Sequence, residues 1–345
     1  MTKTAAVIGA TGQIGPEVVK ALTQDGWQTR AISRTGRVDG AWASDLGVEV
    51  VTADREDTQQ LQAAVDGAEL VVDIVAYTRE HGKQLQELAG RVGSAVAISS
   101  SALYVDGEGR GFETMMSPVG FGRFPEPIDE KQPVVAPGES GYLSCKRAME
   151  LAAVEGDVPV TLLRVGAPHG PRAKKPGEWW FVKRALDRRP VRLLAHQGQT
   201  RFHPAHTSNI AEAVRLAAAA PGTRILNIGD SNVPTGLEIA SAIDEMMGVQ
   251  SEIVGMPGPA EGMVGRHPYM VANPFVLGMA AAELEIGFKP LASYWDVLAE
   301  NIDWLLAAVR QRDWREVFPM LASHPSGMTF FDYDAEDHWL ATHRG

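Results

Sequence analysis

Three glycines stand between an apolar segment and an amphipathic segment close to the start of the chain. Ala5–Ile8 has the composition of a buried strand, Gly9, Gly12 and Gly15 follow it, and Glu17–Gln24 carries apolar residues at helical spacing. Glycine permits a sharp turn and a close backbone approach where a larger side chain would collide. The order of strand, tight turn and helix predicts the first βα unit of a parallel sheet.

Short β-branched runs alternate with helical stretches through much of the remaining chain. Parallel strands need a crossover of about this length between them, and such crossovers are right-handed. The alternation therefore predicts an α/β fold, a Rossmann-type doubly wound parallel sheet. Further strands are expected at Gln28–Ile32, Val48–Val51, Leu70–Val75, Ala95–Ile98, Val160–Leu163 and Arg224–Ile228.

Composition and charge exclude several classes of protein. The chain of 345 residues has 32 Lys+Arg against 43 Asp+Glu, a net charge of −11, and a single cysteine, Cys145. An acidic surface repels nucleic acid and anionic membranes, so neither is expected as a partner. One cysteine forms no intrachain disulfide and no multi-cysteine metal site, and we expect no bound metal. With no signal-peptide pattern and no apolar run of about 20 residues, a cytoplasmic location is expected.

The glycine segment has the spacing of a loop that binds a dinucleotide. Backbone N–H groups at the start of the following helix attract a pyrophosphate, and glycines let the backbone approach it. A chance glycine-rich turn is the alternative, but the strand before the loop and the helix after it favour binding. The expected cofactor contacts are Gly9, Thr11, Gly12, Gln13, Ile14 and Gly15.

The end of the second predicted strand distinguishes NADP from NAD. An acidic residue there would bind the adenosine ribose hydroxyls, whereas a basic one accommodates a 2′-phosphate. The chain reads Ser33-Arg34 at this point, with no acid before Asp39. We therefore expect NADP(H), bound through Ser33 and Arg34, with NAD(H) as the alternative if Arg34 is only a solvated surface residue. Asp54 either accepts from the adenine amino group or caps the helix that follows it.

A change in composition near Gly166 indicates a second lobe, richer in proline and tryptophan. We expect residues 1–165 to form the NADP-binding Rossmann domain, with the strand near 224–228 returning to it. Residues 166–345 are expected to form mainly a smaller mixed α/β substrate lobe with C-terminal helices and a tail. The aromatic residues of the tail, 323–345, either pack on the protein or belong to a partly ordered end.

Four stretches, in order, resemble the extended short-chain dehydrogenase/reductases, the NAD-dependent epimerase/dehydratase family. They are the glycine loop, the serine motif Ile98-Ser99-Ser100-Ser101-Ala102-Leu103-Tyr104, Tyr142-Leu-Ser-Cys-Lys146, and Leu163 to Pro171, similar to the stretch that lies against the nicotinamide ring. The short crossover before the fifth strand, with room for one helix around 80–92, resembles the atypical branch of that family. The resemblance implies cofactor contacts from Ala76, Ser99 and Val165, and a homodimer.

Tyr142 and Lys146 lie one helical turn apart, on the same face of a predicted helix. A free phenol has a pKa of about 10, and a neighbouring ammonium together with an oxidised nicotinamide would bring that pKa down. We expect Tyr142 to exchange a proton with the substrate oxygen and Lys146 to hold the nicotinamide ribose. A serine would hydrogen-bond the same oxygen; the resemblance favours Ser101, with Ser100 as the second choice.

Departures from the family pattern bear on the substrate. Ala102 and Leu103 replace the Asp–Glu pair that sugar dehydratases need, so dehydration is not expected. Ala167 replaces an asparagine that contacts a substrate diphosphate, whereas Arg201 is retained where relatives bind phosphate, although a salt bridge between lobes is its alternative. Nucleotide-sugar binding therefore stays open.

A long segment between the serine motif and Tyr142 is rich in Phe, Met and Gly. Such side chains favour an apolar or mixed substrate, although a loop packed on the second lobe is equally open. Phe121, His169 and Trp179 are further candidate substrate contacts, and Trp179 has a core position as its alternative.

The sequence thus predicts an NADP(H)-dependent oxidoreductase that reduces a carbonyl or related C=X group on a small-molecule substrate. Two alternatives remain at this stage: a nucleotide-sugar epimerase with bound NAD(P), and a non-catalytic NADP-binding or RNA-associated regulator.

Overall fold

A computed structural model describes residues 3–38, 40–323 and 329–343. Its strands are β1 (Thr4–Ile8), β2 (Gln28–Ser33), β3 (Glu49–Thr52), β4 (Leu70–Asp73), β5 (Ser94–Ser100), β6 (Val160–Val165), β7 (Ala167–His169), β8 (Val191–Leu194), β9 (Pro204–His206), β10 (Arg224–Ile228) and β11 (Glu252–Gly255).

The helices before residue 220 are α1 (Gly15–Gln24), α2 (Trp42–Asp45), α3 (Thr58–Val65), α4 (Arg79–Gln86), α5 (Tyr142–Val154), α6 (Trp179–Leu186) and α7 (Thr207–Ala219). Those that follow are α8 (Gly236–Met246), α9 (Ala280–Ile286), α10 (Tyr294–Val309), α11 (Trp314–Val317), α12 (Pro319–Ala322) and α13 (Tyr333–His343). Short 3-10 helices cover Ser101–Leu103 and Ala195–Gly198.

The chain divides into two compact units. Unit 1 comprises the described residues of 1–168, 205–231 and 277–292, and unit 2 those of 169–204, 232–276 and 293–345. The sequence expectation placed one boundary at 165/166 and returned only the strand near 224–228 to the first domain. In the structure unit 1 also takes α7 and α9, because both helices pack on its sheet.

Unit 1 is built on a seven-stranded parallel sheet in the order β10-β6-β5-β4-β1-β2-β3. Val7 of β1 lies opposite Ala31 of β2 on one side and Val72 of β4 on the other. The predicted Rossmann-type α/β fold is confirmed. Because the chain order reverses between β1 and β4, the crevice at the carboxyl ends of these strands is the place where such sheets bind ligands.

Alternation along β1 supplies both faces of this sheet with core residues. Ala5 and Val7 pack into the cluster that contains α1 and α7, whereas Ala6 and Ile8 pack into the cluster on the other face. Successive side chains of a strand point to opposite faces, so a fully buried strand is apolar at every position. This explains why the strand is a continuous apolar run.

Helix α4 is shorter than the helix expected around 80–92. It ends at Gln86, and Gly90 has a φ of +76°, a left-handed conformation that turns the chain toward β5. The helix lies very close to α5, since a Cβ placed on Gly82 would come 2.5 Å from the Met149 carbonyl oxygen and 2.8 Å from the Ala153 nitrogen. Gly82 therefore sets the distance between α4 and the helix that begins with Tyr142.

Unit 2 contains a two-stranded parallel sheet of β8 and β11, with α6 and α8 packed on each other. The apolar core around Val191 and Met256 also receives Trp339 from α13. The Trp339 indole donates to Glu261 at 2.9 Å, and the Tyr333 hydroxyl donates to Asp187 at 2.6 Å. The described aromatic residues of the tail thus pack on unit 2.

Candidate active site

The glycine loop is closed tightly against its neighbours in unit 1. Gly9 has a φ of +83°, and a Cβ placed on it would lie 2.7 Å from the Val75 side chain. A Cβ on Gly15 would collide with the backbone of Ala10. A larger side chain would therefore not fit at the first or the third glycine of the loop, and the first glycine also has a backbone conformation that favours glycine.

The start of α1 fits the pyrophosphate of a dinucleotide. Its N-cap residue, Ile14, makes no side-chain hydrogen bond to the first turn, so this residue leaves the backbone N–H groups there available to a ligand. The Gln13 amide nitrogen is buried and has no hydrogen-bond partner among the described residues. A donor-rich loop with an orphaned buried amide suits an anionic ligand such as a dinucleotide pyrophosphate.

The residues predicted to select NADP lie at the end of β2. Arg34 is exposed, whereas Ser33 is buried and its hydroxyl accepts from the Gly36 backbone N–H at 3.1 Å. Ser33 thus shapes the turn that presents Arg34.

Asp54 does not cap the following helix. That position belongs to Asp57, whose carboxylate accepts from the backbone N–H groups of Gln59 and Gln60. Asp54 instead accepts from the Glu56 N–H at 3.0 Å and stays partly exposed after β3. The capping alternative raised from the sequence is therefore wrong, and the adenine contact remains a prediction.

Tyr142 is the first residue of α5, and its side chain is 54% exposed. Protein atoms nevertheless crowd its hydroxyl, and this loss of water raises the pKa of Tyr142, while a hydrogen bond with the Ser100 side chain opposes the rise. The serine beside the phenol is thus Ser100, the second choice of the sequence analysis. Ser101 is 1% exposed and begins the 3-10 helix after β5, so its role as the catalytic serine remains only a prediction.

The Lys146 ammonium is buried and directed at the backbone of β5 and of the segment after β4. It donates to the Ile98 carbonyl oxygen at 2.7 Å and to that of Ala76. Burial lowers the pKa of Lys146 to about 8, although the nearby Asp73 and Glu150 carboxylates counter this effect. Two of its three N–H donors are taken by these contacts.

In the protein alone the pKa of Tyr142 is raised, so Lys146 by itself does not lower it; the effect of an oxidised nicotinamide stays a prediction. The expectation assumed that the ammonium of Lys146 points along the helix face toward the phenol. In the structure the ammonium turns inward to two carbonyl oxygens. The loss of water around the Tyr142 hydroxyl is the largest influence on its pKa.

A buried polar network anchors α5 to the sheet. Glu150 accepts from Arg164 of β6 through both carboxylate oxygens, at 2.9 and 2.7 Å, and from the Ser99 hydroxyl at 2.7 Å. The hydroxyl of Ser99 stabilises this carboxylate, and the contact of Ser99 with the cofactor stays a prediction. Val165, the other predicted contact in this region, ends β6 and is 4% exposed.

The segment after β4 touches each part of the site in turn, and sequence reasoning identified only one of its residues. Val75 packs on Gly9, the Ala76 carbonyl holds Lys146, and the Tyr77 ring stacks on Tyr142 with centroids 5.7 Å apart and an angle of 19°. Tyr77 was missed because a lone tyrosine after a strand carries no motif; its position next to Ala76 was the one available signal.

The segment between the serine motif and Tyr142 forms a self-packed loop over residues 111–124. Phe121, a predicted substrate contact, is 5% exposed and packs on Phe112 at 5.0 Å and Phe124 at 5.5 Å. The exposed apolar residues of this 111–124 loop are Met116 and Val119, each 61% exposed.

This loop reaches the start of the catalytic helix. A Cβ placed on Gly141, the residue before Tyr142, would lie 3.9 Å from the Glu113 carboxylate. The 111–124 loop is therefore adjacent to the candidate site within unit 1.

His169 is a core residue of unit 2. It is 1% exposed, its Nδ1 lies 3.2 Å from the Asn301 amide, and its ring lies against that of Tyr294. The buried Glu178 accepts from the hydroxyls of Tyr269 at 2.7 Å and Tyr294 at 3.3 Å. This satisfied polar cluster accounts for His169 without a ligand, and its predicted substrate contact stays untested.

Trp179 and Arg201 also belong to unit 2. Trp179 is 1% exposed and packs against Trp314 and Phe318, which is the core position named as its alternative. Arg201 is partly buried, and its backbone pairs with Thr235 in an isolated bridge.

Metal centres and membrane-spanning helices are two further features that the described residues allow us to assess. No three His, Cys, Asp or Glu side chains there are grouped so that they could hold a metal ion. None of the described helices has both the length and the apolar character needed to cross a membrane.

The chain is similar to known proteins along most of its length. Residues 1–97 match the model of the NmrA-like family. Ceramide reductase from Caulobacter vibrioides is 25% identical over 326 residues, covering 88% of this chain and 94% of that protein. Sterol demethylase protein B from Methylococcus capsulatus is 26% identical over 269 residues, covering 74% of this chain and 76% of that protein.

Solved structures of nucleotide-sugar enzymes share the fold. UDP-glucose 4-epimerase from Thermotoga maritima, solved with UDP-glucose, has a TM-score of 0.66 at 17% identity, covering 88% of this chain and 99% of its own. A dTDP-glucose 4,6-dehydratase from Streptomyces venezuelae, solved with NAD, has a TM-score of 0.66 at 18% identity, covering 90% and 99%. The resemblance predicted from the motifs is confirmed: this chain has the fold of these epimerase and dehydratase structures, and its first 97 residues match the NmrA-like family.

Proposed function

We propose that this chain is an NADP(H)-dependent oxidoreductase that reduces a carbonyl or related C=X group of an apolar, lipid-like molecule. The observation that carries the proposal is the placement of Tyr142 and Lys146 by α5 at the carboxyl end of β5. Ser100 lies beside the Tyr142 hydroxyl, and the Lys146 ammonium contacts the carbonyl oxygens of Ile98 and Ala76. Lys146 contacts Ala76 in the segment after β4, and Val75 of the same segment packs on Gly9. The groups for proton transfer and for cofactor binding therefore share one edge of the sheet.

The cofactor would be held by the glycine loop and the start of α1, with Arg34 beside the adenosine 2′-phosphate. NADPH, when bound, supplies a hydride. The one N–H of Lys146 that is not engaged by Ala76 or Ile98 suits a ribose hydroxyl.

The protonation state of Tyr142 suits a proton donor. Because the pKa of Tyr142 is raised, its hydroxyl is protonated at neutral pH, which is the form that a proton donor requires. Tyr142 gives this proton to the substrate oxygen and regains one from solvent, while Ser100 hydrogen-bonds the same oxygen.

Two observations support an apolar substrate. Met116 and Val119 are exposed on the 111–124 loop, whose Glu113 lies near the residue that precedes Tyr142. Flexible Met and aliphatic side chains suit hydrophobic ligands of varied shape. The two curated relatives are named for ceramide and sterol, both lipids, and one of them is a reductase.

The test is a turnover assay with NADPH and NADH against long-chain aliphatic ketones, oxosteroids and UDP-glucose. We expect NADPH loss that matches alcohol formation for the apolar ketones, and a kcat for Tyr142→Phe that is lower by about 100-fold or more. A Met116→Ser/Val119→Ser double variant should raise KM for these ketones and leave NADPH affinity unchanged.

Other results would identify the alternatives. Interconversion of sugars without net NADPH loss would contradict reduction and indicate an epimerase. Tight NADPH binding with no turnover, and no effect of Tyr142→Phe on any cellular phenotype, would indicate a non-catalytic regulator.

A further inference from the structure

Helix α5 does little to fix the orientation of the Tyr142 phenol. Tyr142 is the first residue of α5, follows Gly141 with a φ of +82°, and leaves 54% of its surface exposed. A side chain in the first turn has no preceding helical turn to restrict its rotamer. Some other element must therefore decide where its hydroxyl points.

Tyr77 is the ring that packs on it. The two rings are nearly parallel, with an angle of 19° and centroids 5.7 Å apart. Offset stacking of this kind is favourable beyond the area that it buries. The Cys145 thiol, on the same helix as Tyr142, adds to the effect of burial in raising the pKa of Tyr77.

The backbone of Tyr77 is fixed from beneath by buried side chains. Its N–H donates to the His81 Nδ1 at 2.9 Å, and the His81 Nε2 lies 3.1 Å from a Glu56 carboxylate oxygen. Two residues earlier, the Val75 N–H donates to Asp73 at 3.0 Å, and Asp73 pairs with the buried Arg55 at 2.5 Å. Tyr77 thus stands on a rigid support rather than on a free loop.

We propose that Tyr77 is a positioning residue, whose ring holds the Tyr142 phenol in the orientation that brings its hydroxyl to Ser100 and to the substrate oxygen. The role rests on the proposed function of Tyr142. Tyr77 touches no reacting atom itself; it acts through the ring that does.

The experiment compares Tyr77→Leu, which removes the ring, with Tyr77→Phe, which keeps it and loses the hydroxyl. Tyr333→Leu in α13 of unit 2 is the matched control for the same chemical change. For Tyr77→Leu we expect a kcat for ketone reduction that is lower by about tenfold or more, an altered pH profile of kcat, and an NADPH affinity close to wild type. Tyr77→Phe should restore most of the lost kcat.

A second measurement needs no substrate. The chain has six tyrosines, so NMR of ring-labelled tyrosine resolves Tyr142 once Tyr142→Phe has identified its signals. Those signals should move in Tyr77→Leu, because the ring current of the stacked neighbour is lost, and should stay nearly in place in Tyr77→Phe and Tyr333→Leu.

The outcomes separate the two hypotheses. A wild-type kcat and pH profile in Tyr77→Leu, or unmoved Tyr142 signals, would overturn the positioning role even if Tyr142→Phe is inactive. Equal defects in the Leu and Phe variants would overturn it as well, since the hydroxyl rather than the stacked ring would then matter. Full activity of Tyr142→Phe would refute the proposed function, and the NMR signals would still decide whether Tyr77 orients the phenol.

Discussion

Arg164 on β6 donates two parallel hydrogen bonds to the Glu150 carboxylate on α5, at 2.9 and 2.7 Å. Glu150 is fully buried and lies one helical turn after Lys146. Burial alone would raise the pKa of Glu150, but the hydrogen bonds from Arg164 and Ser99 hold it below its usual value. The pair therefore keeps the catalytic helix attached to the sheet as a charged unit.

Removing one partner of this pair should destabilise the fold strongly. Glu150→Ala leaves the Arg164 guanidinium buried without its counter-charge, and we expect a loss of about 3–5 kcal/mol in the free energy of unfolding. Urea denaturation measures it. Glu80→Ala is the control, since its pair with Lys83 is exposed and should contribute less than about 1 kcal/mol. Equal effects of the two variants would contradict the anchoring role of Glu150.

Arg34→Ala should remove most of the preference for NADP(H). The exposed guanidinium at the end of β2 can bind a 2′-phosphate bidentately, and this phosphate is the difference between the two cofactors. We expect NADPH affinity to fall about tenfold or more and NADH affinity to change little. Isothermal titration with both cofactors checks this, with Arg37→Ala as the neighbouring control. Equal affinities of the wild-type protein for NADPH and NADH would refute the NADP assignment.

The stability of unit 1 should depend on His81 below neutral pH. Burial and the nearby Arg55 lower the pKa of His81, while Glu56 and Asp73 oppose this shift. The unfolded chain therefore binds more protons than the folded chain as pH falls through about 6.5, so acidification destabilises the fold. His81→Asn keeps an acceptor for the Tyr77 N–H without this titration. We expect the wild-type free energy of unfolding to fall more steeply than that of His81→Asn between about pH 7 and 5.

Parallel curves for the two proteins over that range would show that His81 is not neutral in the folded chain. His196 and His267 also have pKa values lowered by burial. Both proteins contain them, so their contributions to the pH dependence of unfolding cancel in the comparison.

Gly82→Ala should destabilise the protein although alanine is the better helix former. Propensity alone favours alanine over glycine inside α4 by about 1 kcal/mol. The added methyl group, however, would meet the backbone of α5 at Met149 and Ala153, which has no flexible side chain to move aside. We expect a net loss of about 1–3 kcal/mol from overpacking.

Gly107→Ala is the matched control for that variant, since a Cβ there meets no atom within 4 Å. Its free energy of unfolding should stay within about 0.5 kcal/mol of wild type. A stabilised Gly82→Ala protein would show that the two helices separate easily.

Local patterns in the sequence were sufficient to predict the fold and to name candidate residues for the site. Apolar runs of strand length and the glycine loop depend on backbone requirements that neighbouring residues express by themselves. The one-turn spacing of Tyr142 and Lys146 likewise places both on one helix face. Each of these features could be recognised without knowing what packs against it.

Neighbouring residues in the sequence do not decide whether Ser100 or Ser101 lies beside the Tyr142 hydroxyl. Successive side chains of a strand point to opposite sides, so the choice depends on where β5 ends and on which residue then faces α5. The direction of the Lys146 ammonium depended in the same way on the carbonyl oxygens of Ala76 and Ile98, which lie far from Lys146 in the chain.

The sequence by itself determined the parallel sheet, the glycine loop and the helix that carries Tyr142 and Lys146, because periodicity and backbone sterics act over a few neighbouring residues. Only the tertiary structure decided which side chains surround the phenol. Tyr77 and Tyr142 are 65 positions apart and meet because β4 and α5 deliver them to one edge of the sheet. Burial and contact at that edge, and not residue type, set the protonation state and the orientation of the Tyr142 phenol, on which the proposed chemistry depends.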